Sequence, residues 1–328
     1  MLVSVAIPCY NSEATIRKVV EMVMAEFEKR PEYSCEFVLV NDNSRDGTFE
    51  EIRKLCRMYK NVRGINLMRN FGQHNALMAA MNYVNGDLVL GMDDDMQTHP
   101  SQIFKLLYKI SEGYDLVYGI YEKRKNSALK NATSKVNEVT SRLLLGRPRQ
   151  IHSSNFWVIT RAVAEQVVKY PGYNPYIDGI FYRITHNIGN VVVEHHKREV
   201  GSSNYTMKKL IKLWMAYWNY SVIPLRISSV LGGIFACVGF VLAIVTVLQK
   251  LIFAPDMPMG WPSLFCAILI FSGIVLLVLG IIGEYLGKIL LTLNHTPQYI
   301  IRETVNIGQE SGENAGKTAG TSDGRKQI

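Results

Sequence analysis

Two uncharged apolar runs constrain this chain more than any other feature. Ile227–Leu248 is 22 residues long and Ser263–Gly283 is 21, and neither holds a charged side chain. At 1.5 Å per residue the longer run makes a helix of about 33 Å, close to the thickness of a bilayer's hydrocarbon core. A helix that is apolar on every side has to be wholly buried, in a large core or in lipid. Gln249–Pro262 joins the runs and carries three prolines, so the pair is expected to form a transmembrane hairpin. Upstream, residues 206–221 set Lys208, Lys209 and Lys212 beside Leu210, Leu213, Trp214, Trp218 and Tyr220. Lysines with indoles and leucines describe a helix lying in the membrane interface. The competing reading is an amphipathic helix of a soluble core.

Charge gives the orientation. Lys208, Lys209, Lys212 and Arg226 precede the first run, Lys288 and Arg302 follow the second, and the connecting loop has only Lys250 and Asp256. Positive residues stay inside, so both termini are expected in the cytoplasm, with the protein in the cell's inner membrane as two spans. The net charge of +8 calls for an anionic partner: a membrane surface, a nucleic acid or a phosphorylated substrate. The basic residues gather at the membrane boundary and no recognised nucleic-acid module is present, which argues against nucleic acid. Cys9, Cys35, Cys56, Cys237 and Cys266 show neither paired nor metal-ligand spacing, so a reducing compartment without disulfides is expected. The start, MLVSVAIPCYN, lacks the charged and apolar regions of a signal peptide.

Ahead of the membrane segments, β-prone runs alternate with helical patterns. Strands are expected at 2–7, 37–40, 62–67, 87–92 and 114–119, with helices at 12–29, 49–59, 72–83 and 101–111 between them. This order is the signature of an α/β domain with a parallel sheet covered on both faces. Residues 122–135 are strongly basic, and a solvated helix face is the plain reading of such a run. Further elements are expected at 156–159, 161–169, 176–187 and 190–195.

Leu88–Pro100, LVLGMDDDMQTHP, runs four apolar or small residues into Asp93, Asp94 and Asp95. Three carboxylates at a strand end repel one another unless a cation joins them, and hard Mg²⁺ or Mn²⁺ suits them. A helix N-cap would account for one of the three. In a parallel sheet the strand ends gather on one edge, where such sheets bind ligands. That edge offers Tyr10 for stacking, Asp42 and Asp93 for hydrogen bonds to a base or ribose, and Asp95 for a metal on a diphosphate. Each alone has a plain alternative, packing for Tyr10 and a turn cap for Asp42. Together they describe a nucleotide-diphosphate site that lacks a Walker or GxGxxG loop.

Pro8-Cys9-Tyr10-Asn11, Asn41-Asp42-Asn43-Ser44 followed by Asp46-Gly47-Thr48, and the Asp93-x-Asp95 pair resemble, in order and spacing, the motifs of glycosyltransferase family 2, the inverting GT-A enzymes. Arg69-Asn70-Phe71-Gly72-Gln73-His74, Met92–Gln97, Arg198-x-x-Gly201-x-Ser203-x-Tyr205, and Gly280–Gly287 followed by Pro297-x-Tyr299-Ile300-Ile301 narrow the resemblance. They are similar to polyprenyl-phosphate glycosyltransferases, among them dolichol-phosphate mannose synthase and bacterial undecaprenyl-phosphate glucosyl and aminoarabinose transferases.

The resemblance covers residues 2–303 and implies a Rossmann-like, mostly parallel GT-A sheet. It also implies a nucleotide-diphosphate sugar donor, with a UDP-sugar favoured, and a polyprenyl phosphate acceptor. It implies donor contacts from Pro8, Tyr10, Asn11, Asp42, Arg69 and Asp93. Metal ligands would be Asp93, Asp95 and Gln97, and acceptor-phosphate contacts would come from Arg124, Lys130, Ser134 and Arg198. Asp178 stands where relatives carry a sugar- or acceptor-facing acid, a helix cap being its plain alternative. Catalysis would rest on Asp93, Asp95, Arg124, Arg198 and Asp178.

The expected organisation is a cytoplasmic catalytic domain at 1–205, a juxtamembrane helix at 206–225, and membrane helices at 226–250 and 262–292 around an external loop at 251–261. A cytoplasmic segment at 293–307 and a disordered tail at 308–328 complete it. Asn204 replaces the usual Lys of the Gly-x-Ser-x-Tyr motif, and Asp94 stands where many relatives have Ala. His195 and His196 are adjacent on a strand, so they point to opposite faces and make no metal pair. Gly232, Gly233 and Gly239 leave close helix packing, and thus a homo-oligomer, open. Two other readings are weighed. A polysaccharide synthase needs more spans and a Gln-x-x-Arg-Trp motif, and the chain has no Arg-Trp dipeptide. A non-catalytic scaffold or flippase-associated subunit would not need intact Asp93, Asp95, Gln97 and Arg198.

Overall fold

The computed structural model describes residues 1–96, 98–121, 150–194 and 261–307, with Arg142, Arg147, Pro148 and positions 228, 230, 234 and 241. Its elements in chain order are β1(Leu2–Cys9), α1(Ile16–Glu28), β2(Ser34–Asn41), α2(Thr48–Met58), β3(Val62–Leu67), α3(Gln73–Met81), β4(Leu88–Gly91), α4(Ile103–Ile110) and β5(Leu116–Tyr121). Then follow β6(Trp157–Thr160), α5(Arg161–Val168), α6(Ile177–Ile184), β7(Ile188–Val193), α7(Trp261–Leu293) and β8(Ile301–Val305). The alternation expected from the sequence is present through residue 121. The expectations for 206–225, 226–250 apart from positions 228, 230, 234 and 241, most of the 251–261 loop, and 308–328 lie outside the described residues.

The strands form one sheet in the order β7-β5-β6-β4-β1-β2-β3-β8. β1 pairs in parallel with β2 and β4, β2 with β3, and β5 with β7, while β6 and β8 run antiparallel to their neighbours. The sheet is therefore mostly parallel, the α/β architecture anticipated, with two reversed strands that the alternation did not reveal.

Both faces are covered. Val38 and Val40 of β2 point into a cluster with α3, α5 and α6, and Phe37 and Leu39 into one with α1, α2 and α4. This period-two split of an all-apolar strand explains why β2 reads as a continuous hydrophobic run. Gly91 ends β4, and a Cβ there would strike the Trp157 indole. Glycine lets that ring lie across the strand end, just before the three aspartates.

β8 was not anticipated. It closes the β3 edge, with Glu303 paired to Arg53 at 2.6 and 3.2 Å and Asn306 donating to the Val62 carbonyl at 3.0 Å. Its side chains alternate between partly buried and exposed, the polar pattern of an edge strand, and this makes it resemble a loop in sequence. Of the segment 293–307, residues 301–305 thus belong to the sheet.

The second apolar run lies on α7, a single helix of 33 residues. Judged on the described residues, many of its side chains being outside them, no helix is long and apolar enough to cross a membrane. As a helix its length is about 50 Å. Leu264, Ile268, Phe271, Val275 and Leu279 on it are all exposed.

Candidate active site

The register of β1, β2 and β4 brings three strand ends together. The Asp42 amide donates to the Cys9 carbonyl at 2.9 Å, and the Met92 amide to that of Ala6 at 3.3 Å. Pro8–Asn11, Asn41–Ser44 and Asp93–Asp95 therefore share one edge, as the sequence implied. Asn11 sits at φ 56°, a left-handed conformation that Asn tolerates. Its amide donates to Ser44 Oγ at 2.9 Å and its Oδ1 accepts from the Arg45 amide at 3.1 Å. The first loop is thereby braced on the second, and the Tyr10 ring is left 48% exposed over the edge.

Ser12 was expected to open the first helix. It serves the site instead: its hydroxyl donates to Asp94 Oδ2 and accepts from the Tyr10 amide at 3.1 Å. The helix proper starts only at Ile16, without a side-chain cap.

Asp42 is buried, and both its oxygens accept backbone amides, from Phe71 at 2.7 Å and Gly72 at 2.8 Å. Burial pushes its carboxyl up from the usual range, and the two amide bonds oppose that shift. The carboxylate expected to meet a base or ribose thus holds the loop before α3, which makes it a clasp in this structure. Arg69 stacks over the Phe71 ring at 4.6 Å in the same loop. Gly72, at φ 93°, turns the chain into α3, which is why the helix begins at Gln73.

The three aspartates have distinct surroundings. Asp93 accepts from Gln73 Nε2 and from Asn155 Nδ2, both at 2.8 Å. Asp94 is turned back toward Tyr10 and Ser12; burial raises its pKa and the charge of Asp95 adds to that shift. Tyr121 is also raised, mainly by burial, and Asp93 and Asp95 both add to it. Asp93 and Asp95 are hard oxygen donors at one strand end, of the type that fits a divalent cation. Among the described residues no group of three His, Cys, Asp or Glu side chains is placed to hold a metal. Gln97, the third expected ligand, lies outside the described residues, as do Arg124, Lys130, Ser134 and Arg198.

Asp178 lies in the first turn of α6, but Tyr176 occupies the cap position and makes no side-chain cap bond. Asp178 Oδ1 instead accepts from the Tyr118 hydroxyl at 2.7 Å, and burial raises its carboxyl. It lines one small cavity with Asp93, Pro8, Gln73, His74 and Asn155. The fold therefore unites two acids that stand 85 positions apart in the chain. Gln73, His74 and Asn155 were not assigned from sequence. Gln73 and His74 lie in the quoted Arg69–His74 motif, whereas nothing around Asn155 marks it.

His74 packs edge-on against Tyr176 with ring centroids 4.9 Å apart, and its Nδ1 is buried without a hydrogen-bond partner. Burial lowers its pKa from 6.5 to about 4. The unfolded chain therefore takes up this proton first on acidification. The contribution of neutral His74 to stability is complete above the unfolded pKa and is lost as pH falls toward 4, by up to about 3 kcal/mol. Comparing urea midpoints at pH 7 and 4.5, His74→Gln should lose less on acidification than wild type. Equal losses would refute the buried neutral imidazole. The raised Asp42, Asp94 and Asp178 act in the opposite direction, but equally in both proteins.

Comparison with known proteins bears on this geometry. The model of the family described as Glycosyl transferase family 2 matches residues 4–168. An uncharacterised glycosyltransferase, YkcC, of Bacillus subtilis is 31% identical, covering 93% of this chain and 94% of its own. The undecaprenyl-phosphate 4-deoxy-4-formamido-L-arabinose transferase of Proteus mirabilis is 30% identical over 93% of this chain and 94% of its own. The crystal structure of glucosyl-3-phosphoglycerate synthase from Mycobacterium tuberculosis with Mn²⁺, UDP and phosphoglyceric acid overlaps in part. It covers 67% of this chain and 76% of its own, at 20% identity and a TM-score of 0.49. With half its length matched by the family model and the strand-end motifs assembled on one edge, this chain belongs to glycosyltransferase family 2.

Proposed function

We propose that this enzyme moves one sugar, with inversion, from a nucleotide-diphosphate sugar to a polyprenyl phosphate at the cytoplasmic face of a membrane. UDP is the favoured nucleotide and undecaprenyl phosphate the favoured acceptor, in the synthesis or modification of a cell-envelope glycan. The observation that carries the reading is the convergence of Asp93 and Asp178 on one cavity at the carboxyl edge of the sheet, beside Asp95 and the exposed Tyr10. The relatives named as undecaprenyl-phosphate transferases support the acceptor class.

In this mechanism a phosphate oxygen of the acceptor attacks the anomeric carbon. The bond from that carbon to the diphosphate breaks, and the nucleoside diphosphate leaves with the electron pair. The acceptor is already an anion, so the step needs positioning and charge neutralisation more than a general base. Tyr10 stacks on the base, and Gln73 and Asn155 fix the Asp93 carboxylate toward the ribose or sugar. Mg²⁺ or Mn²⁺, held by Asp93, Asp95 and Gln97, supplies neutralisation of the leaving diphosphate when bound. Arg124, Lys130, Ser134 and Arg198 hold the acceptor phosphate. The second apolar run on α7 and the first at 227–248 make the membrane hairpin, with the sheet and both termini cytoplasmic.

The test is an assay of full-length protein with Mn²⁺ or Mg²⁺, undecaprenyl phosphate and a panel of UDP-, GDP- and dTDP-sugars. One donor should yield a lipid sugar that survives alkali and breaks in mild acid. No turnover with any donor, together with no nucleotide binding, would replace this reading with the scaffold alternative.

A further inference from the structure

We infer that Arg302 is a positioning residue for the nucleotide-sugar donor: from the returning strand β8 it fixes the start of the loop 68–72, and with it Arg69 and Gln73. This rests on the donor reading above and adds a residue to it. Arg302 lies one position past the Pro297–Ile301 motif. Along the antiparallel pair of β3 and β8, Gly64 stands opposite Val305, Ile65 opposite Thr304 and Asn66 opposite Glu303, but Leu67 stands opposite Ile301. Arg302 is therefore the extra residue of a bulge. A bulge bends its strand and re-aims a side chain, and bulges gather next to active sites. Here the guanidinium is aimed at the residue that follows β3: Arg302 Nη2 donates to the Met68 carbonyl at 3.0 Å. The Met68 amide donates to the Ile300 carbonyl at 2.9 Å. Both backbone groups of Met68 are thus held by the segment that returns from α7.

The residues after Met68 give this hold its consequence. Asp42 fixes the Phe71 and Gly72 amides, and Gln73 Nε2 reaches Asp93 Oδ1 at 2.8 Å. Only Arg69 and Asn70 lie between the two fixed points. Two residues tethered at both ends have few backbone conformations left, so Arg69 is held ready without a cost in ordering when the donor binds. The Arg69 guanidinium lies over the Phe71 ring at 4.6 Å. Phe71 packs, together with Tyr299 and Ile301 of the returning segment, on the same side of the core. The bulge also adjoins the other site loops. Asn66 Oδ1 accepts from Asn41 Nδ2 at 2.8 Å, and Asn41 Oδ1 accepts from the Ser44 hydroxyl at 2.6 Å. Arg302 is itself exposed, so its side chain adds little to the stability of the fold. The next residue has the opposite character: Glu303 ties β8 to α2 through Arg53 and does not touch the loop.

Three full-length variants separate donor positioning from the stability of an edge strand. Arg302→Met keeps the aliphatic stem and removes the hydrogen-bond donor. It should raise the KM for the nucleotide sugar about fivefold, the equivalent of one ordinary hydrogen bond, with kcat and the acceptor KM unchanged. Arg302→Lys keeps a charged donor and should recover most of the wild-type KM. Glu303→Gln breaks the ion pair with Arg53; it should lower the urea midpoint and leave the donor KM unchanged. Equal rises in donor KM for Arg302→Met and Glu303→Gln would assign the effect to strand pairing and overturn the inference. An unchanged donor KM in Arg302→Met, or a lysine variant no better than the methionine one, would overturn it as well.

Amide hydrogen exchange provides a readout that does not need turnover. In the free protein, the amides of 68–72 should exchange faster in Arg302→Met than in wild type, and at the wild-type rate in Glu303→Gln. The same rate in all three proteins would overturn the hold on Met68. A wild type that binds no nucleotide and transfers no sugar would defeat the proposed reaction, and exchange at 68–72 would then judge the hold alone.

Discussion

Asp95→Ala is expected to abolish sugar transfer, by about a thousandfold in kcat or more, while the protein stays folded. Two observations separate the activity loss from a folding defect. Asp95 adds to the raised pKa of Asp94, so the two charges at the strand end oppose one another. Removing it relieves repulsion at the strand end, and the melting temperature should hold or rise. The activity that remains should no longer respond to added Mn²⁺ or Mg²⁺. Turnover within tenfold of wild type without added metal would show that the β4 aspartates hold no catalytic cation.

Asp42→Ala should have the largest effect on stability. Its carboxylate accepts two backbone amides from a position that is 3% exposed. Hydrogen bonds to a charged acceptor contribute about 1.5–3 kcal/mol each, so a loss of about 3 kcal/mol is expected. The loop so released precedes Gln73, which holds Asp93, and the KM for the donor should rise with the loss of stability. Asp42→Asn keeps one acceptor oxygen and should retain about half of the stabilisation. Denaturant unfolding of the three proteins, with nucleotide titration alongside, measures both effects. An alanine variant within 0.5 kcal/mol of wild type, about the scatter of a neutral surface change, would mean the clasp carries little energy.

These two residues also mark how far the sequence could be read. Asp95 stands out in the sequence because an apolar strand running into like charges leaves few physical solutions, and the fold places it at the expected strand end. Asp42 was singled out for a different contact. A short motif shows which side chain stands at a strand end, but not what comes back to meet it, and here the returning loop takes both carboxylate oxygens. Ser12 follows the same pattern: its type and position suggest a helix start, yet Asp94 claims its hydroxyl. Asp178 was placed on a helix with capping as its alternative, and in the fold its Oδ1 accepts the Tyr118 hydroxyl from a strand 60 positions away. Asn155 had no signal at all, since it reaches Asp93 only because the reversed strand β6 lies beside β4.

By itself, the sequence determined the alternating α/β order, the carboxylate edge, the family motifs and the two uncharged runs. All of these are local properties, set by periodicity, charge and the few residue types that a chemistry tolerates. Only the tertiary structure decided the two reversed strands, the return of 301–305 to the edge of the catalytic sheet, the amide grip on Asp93, and the hold of the returning segment on Met68. Those depend on contacts between segments far apart in the chain. Arg53 and Glu303, 250 positions apart, meet because an edge strand is completed by backbone hydrogen bonds, which any polar segment of the right length can supply and no side-chain pattern has to announce.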